Sequence, residues 1–265
     1  MPARRSELSG GSLDNLHNHG VSDLGALDAI ARQSRLVAEV SHRPWPLPEA
    51  PWSQAQTRRD VLLAHWRVEL DELARLLPPE LPVDTFEGEA WLGIAAYRVE
   101  SLRVRGLPPL PGLSSFPQLE VCTYVAVGDR PGLWYFSLEV PKQLLVEAAK
   151  RAHRLPAYRA RVAATAGSFE ASRDGLVCRA RWEGAGEPFE PAPGSLDHFL
   201  TERYALYTED GGRLYRAELQ HAPWRLRSAE ATVVTATLAP LPLEGAPYAL
   251  TSTVQDLLVW PLEEL

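Results

Sequence analysis

Lysine is the scarcest of the side chains here that could do chemistry: Lys142 and Lys150 stand alone among 27 Lys and Arg residues. Attack on a carbonyl to form an imine needs a buried lysine whose pKa is depressed enough to free its lone pair. Lys142 falls where a helix is predicted to start, and the helix dipole would lower an ammonium pKa there. Lys150 follows in the same helix, and a solvated face is the plainer expectation for both. His65, between Ala64 and Trp66 in a predicted strand, suits a satisfied core or rim histidine better than a base. His221 precedes Ala222-Pro223-Trp224 at a strand end, where it suits a loop contact or a site. His153 falls in a last helical turn, where a positive charge is favoured by the dipole. Cys122 and Cys178 lie in strand-like runs, as buried free thiols rather than a disulfide framework. With no CxxC and no His-x-x-x-His, neither a metal nor a cofactor is expected. Glycine-rich phosphate loops and the Gly-x-Ser-x-Gly elbow are absent as well, and Gly184-Ala185-Gly186 reads as a loop.

The elements that must position these groups are mostly strands. Period-two runs occur at Val61 to Val68, Ala90 to Val104 with a break near Ser101, and Leu119 to Val127. In the last of these Leu119, Val121, Thr123 and Val125 alternate against Glu120, Cys122 and Tyr124. Gly132 to Val140 follows, with Trp134, Phe136 and Leu138 on one side. A short helix is predicted from about Asp71 to Leu77, stopped by Pro78 and Pro79. Pro141 suits the first turn of another, Lys142 to His153, with Leu145, Ala148 and Ala149 facing inward. Asp174-Gly175 marks a hairpin between Arg159–Ala171 and Leu176–Trp182. Ser195 caps a helix to about Arg203, two strands flank Asp210-Gly211-Gly212, and two more cover Ala231–Leu238 and Val254–Leu262.

Ahead of this body, residues 1–42 read as a leader. Residues 1–22 are Ser, Gly, Asn and His without periodicity, so His17 and His19 are not expected to hold a metal. Asp23 to Val40 has helical spacing, and His42 to Pro51 is a Pro-rich extended arm. The rest, 43–265, reads as one domain, mainly β of the α+β kind. A formal charge of −7 argues against nonspecific binding to nucleic acid. No window is long and apolar enough for a membrane span, and no secretory core precedes the domain, so a cytoplasmic protein is expected.

From Trp45 to Trp224 the chain resembles the YqjF-like proteins, an uncharacterised bacterial family. The resemblance is carried by Leu63-Ala64-His65-Trp66, Leu81-Pro82-Val83-Asp84-Thr85-Phe86-Glu87-Gly88, and Ala90-Trp91-Leu92-Gly93. Further matches are Phe116-Pro117, Thr123-Tyr124-Val125, Leu155-Pro156, Phe199-Leu200-Thr201-Glu202-Arg203-Tyr204 and His221-Ala222-Pro223-Trp224. That family is similar to the acetoacetate-decarboxylase-like superfamily, which implies a β-barrel with a central cavity and a few short flanking helices. The decarboxylases carry their imine-forming lysine just after an aromatic-Pro pair. Here Leu155-Pro156 is followed by Ala157 and Tyr158, and neither can form an imine.

The family's strand motif, Phe-Pro-Glu-x-Asn-x-Arg-Thr-Tyr-Val, is also altered: Gln118, Glu120 and Cys122 replace its Glu, Asn and Arg. Alternate residues share a strand face, so Gln118, Glu120, Cys122 and Tyr124 fall on one side. If that side is the cavity, losing the arginine while gaining Glu120 disfavours an anionic keto acid there. The candidate cavity-lining set is Gln118, Glu120, Cys122, Tyr124, Lys150, Tyr158 and His221. The resemblance implies a protein that binds a small molecule and is not a decarboxylase. Two alternatives remain: a lyase or hydratase acting on a small carbonyl compound, and a self-associating scaffold, a homo-oligomer. A pocket holding two or more of these polar residues favours binder or enzyme, whereas an interior filled with Trp, Leu and Phe favours scaffold.

Overall fold

Strands long enough to cross a domain follow from the period-two runs, and the computed structural model, which describes Gly25 and residues 27–265, contains them. A helix, α1, covers 27–35 and ends in a 3-10 turn at Leu36–Ala38. Then come β1 (Gln54–Val68), α2 (Leu70–Ala74), β2 (Ala90–Val104), β3 (Phe116–Val127), β4 (Arg130–Val140) and α3 (Gln143–His153). The second half holds β5 (Ala157–Arg159), β6 (Arg161–Thr165), β7 (Ser168–Arg173), β8 (Leu176–Phe189) and α4 (Leu196–Thr201). It closes with β9 (Ala205–Asp210), β10 (Arg213–Gln220), β11 (Leu226–Ala236), β12 (Tyr248–Val259) and β13 (Glu263–Glu264). His17 and His19 lie outside the described residues.

Hydrogen bonding runs β10-β9-β4-β3-β2-β1-β12, and β12 pairs back onto β10, so seven strands close into a ring. Most neighbours are antiparallel; β4–β9 is parallel and leaves little room. A Cβ at Gly132 would sit 2.6 Å from the Ala205 carbonyl oxygen, so only glycine fits that seam. From β12 the sheet continues through β11, β8, β7 and β6. This extension folds over the outward face of β1–β3. There Phe169, Ala171, Cys178 and Ala180 bury Leu62, Leu92, Ile94, Leu119 and Val121 in the largest apolar cluster.

Three irregularities decide which side chains face inward. One extra residue stands in β1 between Arg59 and Leu62, where Asp60 has φ +52°, so Arg58, Leu63 and His65 all point into the ring. The break expected near Ser101 is a second bulge, with φ +51°, inside an otherwise continuous β2. A third, in β4 opposite Val121 and Cys122, turns Leu138 inward, away from the side of Trp134 and Phe136 where alternation put it.

Other expectations are corrected similarly. The run Arg159–Ala171 is not one strand, because Gly167, at φ +76°, turns it between β6 and β7. Asp174-Gly175 does form the next turn, with the positive φ at both positions that a type I′ turn needs. Gly184-Ala185-Gly186 belongs to β8 rather than to a loop, paired with β11 across a bulge. The segment ahead of the strands is tied down: Gln33 donates to Thr57 Oγ1 at 3.2 Å, and Arg103 Nε donates to Gln33 Oε1 at 2.7 Å.

Candidate functional site

The ring interior is not filled. Its unbulged wall is β3, whose inward residues Phe116, Gln118, Glu120, Cys122 and Tyr124 run from one end of the lumen to the other. Three neighbouring spaces occupy the lumen, two of them along this wall. An outer chamber of about 90 Å³ lies under α3 and is lined by Gln54, Gln56, Gln118, Glu120, Tyr135, His153 and a wall of leucines. An inner chamber of about 40 Å³ holds His65, Gly93, Cys122 and Tyr124. A side chamber of about 30 Å³ opens between Arg203, His221, Trp224 and Gln255. Arg58 borders all three.

Arg58 and Glu120 form the polar centre. The Arg58 guanidinium donates to Glu120 Oε1 at 3.2 Å, with both side chains buried. Tyr97 Oη also donates to Glu120, and Gln118 Nε2 bridges the two, 2.6 Å from Tyr97 Oη and 3.0 Å from Glu120 Oε1. Arg58 stacks over the Tyr97 ring at 4.6 Å. Burial is the largest single influence on the Arg58 charge and opposes it, yet Glu120, Tyr97 and Tyr135 together outweigh it and raise the guanidinium pKa. The same burial, reinforced by Glu120, pushes the Tyr97, Tyr135 and Cys122 pKa values up, so none is a ready anion.

A second arginine stands at the far end. Arg203 donates from Nε to the Phe199 carbonyl at 2.6 Å and from Nη1 to Asp84 at 2.5 Å. Its Nη2 is buried without a partner, as is Trp224 Nε1. Burial lowers the Arg203 pKa. His65 is held neutral, its pKa pulled down to about 4 by burial. Burial also lowers His221, against the opposing pull of Glu202 and two backbone carbonyls, while its ring stacks on Tyr204 at 4.6 Å. His153 is anchored to the Trp260 backbone, burial lowers its pKa, and its Nε2 has no partner.

Of the seven residues singled out from the sequence, the lumen gathers five: Gln118 and Glu120 in the outer chamber, Cys122 and Tyr124 in the inner one, His221 at the side. Lys150 and Tyr158 are outside. Lys150 sits on the exposed face of α3, 5.9 Å above the Tyr158 ring, whereas His153 from the same last turn is buried and lines the outer chamber. Tyr158 alternates outward from buried Ala157 on β5 and carries Arg173 at 3.9 Å. Lys142 is exposed too, donating to the Gly112 carbonyl ahead of α3. The lumen therefore contains no lysine. Arg58, Arg203 and His153 were missed. Arg58 precedes the bulge, where the strand period breaks, and His153 has a sufficient explanation in the helix dipole. The expectation that Glu120 repels anions is also corrected, since Arg58 pairs with it directly.

A ring of strands around a polar lumen defines an acetoacetate-decarboxylase-like fold, and solved structures agree. The decarboxylase from Legionella pneumophila superposes with a TM-score of 0.59 at 12% identity, over 87% of this chain and 95% of that one. A decarboxylase-like enzyme from Sphingomonas wittichii RW1 gives 0.58 at 14%, over 85% and 98%. The enduracididine biosynthesis enzyme MppR complexed with pyruvate gives 0.57 at 14%, over 85% and 94%. The family known as domain of unknown function 2071, described as an uncharacterized conserved protein, matches residues 55–255, and the chain belongs to it. The uncharacterized protein YqjF of Bacillus subtilis (strain 168) is 36% identical over 230 residues, covering 82% of this chain and 95% of that one.

Proposed function

We propose that the protein binds a small organic molecule non-covalently in the ring lumen, with the body of the ligand in the outer chamber. One observation carries this reading: a buried, unfilled polar cavity that contains no lysine. Its leucine wall suits a short apolar segment, and the Gln118–Glu120–Arg58 face offers both donors and acceptors. A scaffold would fill this interior with its own side chains, and the open chambers argue against it. MppR, of the same fold, is complexed with pyruvate, which supports a ligand of that size. Two buried free thiols support a cytoplasmic setting.

Native mass spectrometry of freshly purified protein tests this. The expected result is a discrete added mass under native conditions that disappears on denaturation. A bare chain that also takes up none of a panel of small carbonyl compounds and carboxylates overturns it.

A second reading, a lyase or hydratase acting on a small carbonyl compound, is favoured by His153. Burial favours its neutral ring, its Nε2 has no partner, and the residue lines the outer chamber together with Glu120 and Tyr135. If turnover of such a compound exists, His153→Gln should lower it at least about a hundredfold. Unchanged turnover in the variant excludes this role.

A further inference from the structure

The side chamber departs from the rest of the lumen in its chemistry. Two arginines, Arg58 and Arg203, border it, and no carboxylate does. Two of its lining residues carry hydrogen-bond donors that are buried without acceptors, Arg203 Nη2 and Trp224 Nε1, and Arg58 Nε is a third. Arg203 is held by the Phe199 carbonyl and Asp84 through its other nitrogens, so Nη2 is the one left free. Trp224 is fixed through its backbone N–H, which donates to Glu202 Oε1 at 2.9 Å, and its indole N–H is not used there. Buried donors without acceptors are rare in folded proteins and mark a place where something else accepts. Guanidinium and indole N–H groups are donors that an anion takes.

We propose that the side chamber is a binding site for one small monovalent anion, held by Arg203 and Trp224 with Arg58 behind. Its volume of about 30 Å³, roughly twice what one water needs, admits a halide or a single carboxylate group. The neighbouring inner chamber adds the neutral His65, whose Nδ1 lacks a partner and accepts from a water or hydroxyl beside the anion. The anion is either free in solution or the carboxylate of the molecule bound in the outer chamber, and only the second case rests on the function proposed above.

Bromide is the probe. Crystals soaked in sodium bromide should show an anomalous peak within hydrogen-bond distance of Arg203 Nη2 and Trp224 Nε1. Calorimetry at constant ionic strength should show bromide binding that Trp224→Phe, which removes the N–H and keeps an aromatic ring, weakens about tenfold. Thermal unfolding of that variant checks that it is folded. Water alone in the chamber, or equal bromide affinity in the folded variant, overturns the site. Competition then separates the two sources. If pyruvate displaces bromide, the chamber takes the carboxylate of an organic ligand; if both bind together, it takes a free anion. Bromide binding without any organic ligand would sink the proposed function and leave this site standing.

Discussion

Leu119 and Glu120 are adjacent on β3, both buried, and face opposite environments. Leu119 points out of the ring into the apolar layer formed with β7 and β8. Glu120 points into a cavity, where Arg58, Tyr97 and Gln118 surround it. One strand thus carries structural packing on one face and a hydrogen-bonded site on the other, and the pleat keeps them apart. The difference teaches that burial alone does not distinguish core from site in this fold. What distinguishes them is whether the chain fills the space in front of the side chain.

Substitutions on the two faces should separate accordingly. Glu120→Ala leaves Arg58 buried without its partner, and should cost about 3–5 kcal/mol of stability in a denaturant titration. A loss under about 1 kcal/mol would show that the pair is better solvated than its burial indicates. Leu119→Ala, one residue away, should cost about 3 kcal/mol through the cavity it opens, with no change in what the lumen binds. Loss of ligand affinity in a folded Leu119→Ala protein would break the distinction between the faces.

Acid should act on the lumen side. His65 titrates near 4 when folded against about 6.5 when unfolded, so the unfolded chain takes up the proton first as pH falls. The stabilisation is complete above pH 6.5, declines as pH falls below that, and is lost by about pH 4. It amounts to about 3 kcal/mol, and the lowered pKa values of His153 and His221 add in the same direction. His65→Gln should flatten this limb of the stability profile; an unchanged slope would assign it elsewhere. Smallest of all, Tyr97→Phe removes one hydroxyl shared by Gln118 and Glu120, and should cost about 1 kcal/mol.

How much of this was legible in the sequence depended on strand regularity. On β3, where no extra residue intervenes, alternation alone placed Gln118, Glu120, Cys122 and Tyr124 on the lumen side. On β1 the residue inserted at Asp60 breaks the period, so the stretch from Gln54 to Arg59 did not read as strand and Arg58 went unseen. In β4 the same device moved Leu138 to the opposite face. Bulges have no local signature strong enough to find them in one sequence. Helix α3 failed differently: its spacing identified the inward Leu145 and Ala149, but that face was not followed into the last turn, where His153 continues it. His153 therefore looked like a dipole partner, and Lys150 like a cavity residue. Arg203, just past α4, gained its place from a local bond back to the Phe199 carbonyl and a tertiary contact with Asp84 that no spacing encodes.

The lack of a lysine in this lumen is the most direct point of contact with experiment. The protein should be incubated with pyruvate, reduced with borohydride, denatured and weighed. The account predicts an unchanged chain mass, because both lysines stand on the outer surface and neither reaches the chambers. A reduced adduct mapped to Lys142 or Lys150 would contradict it.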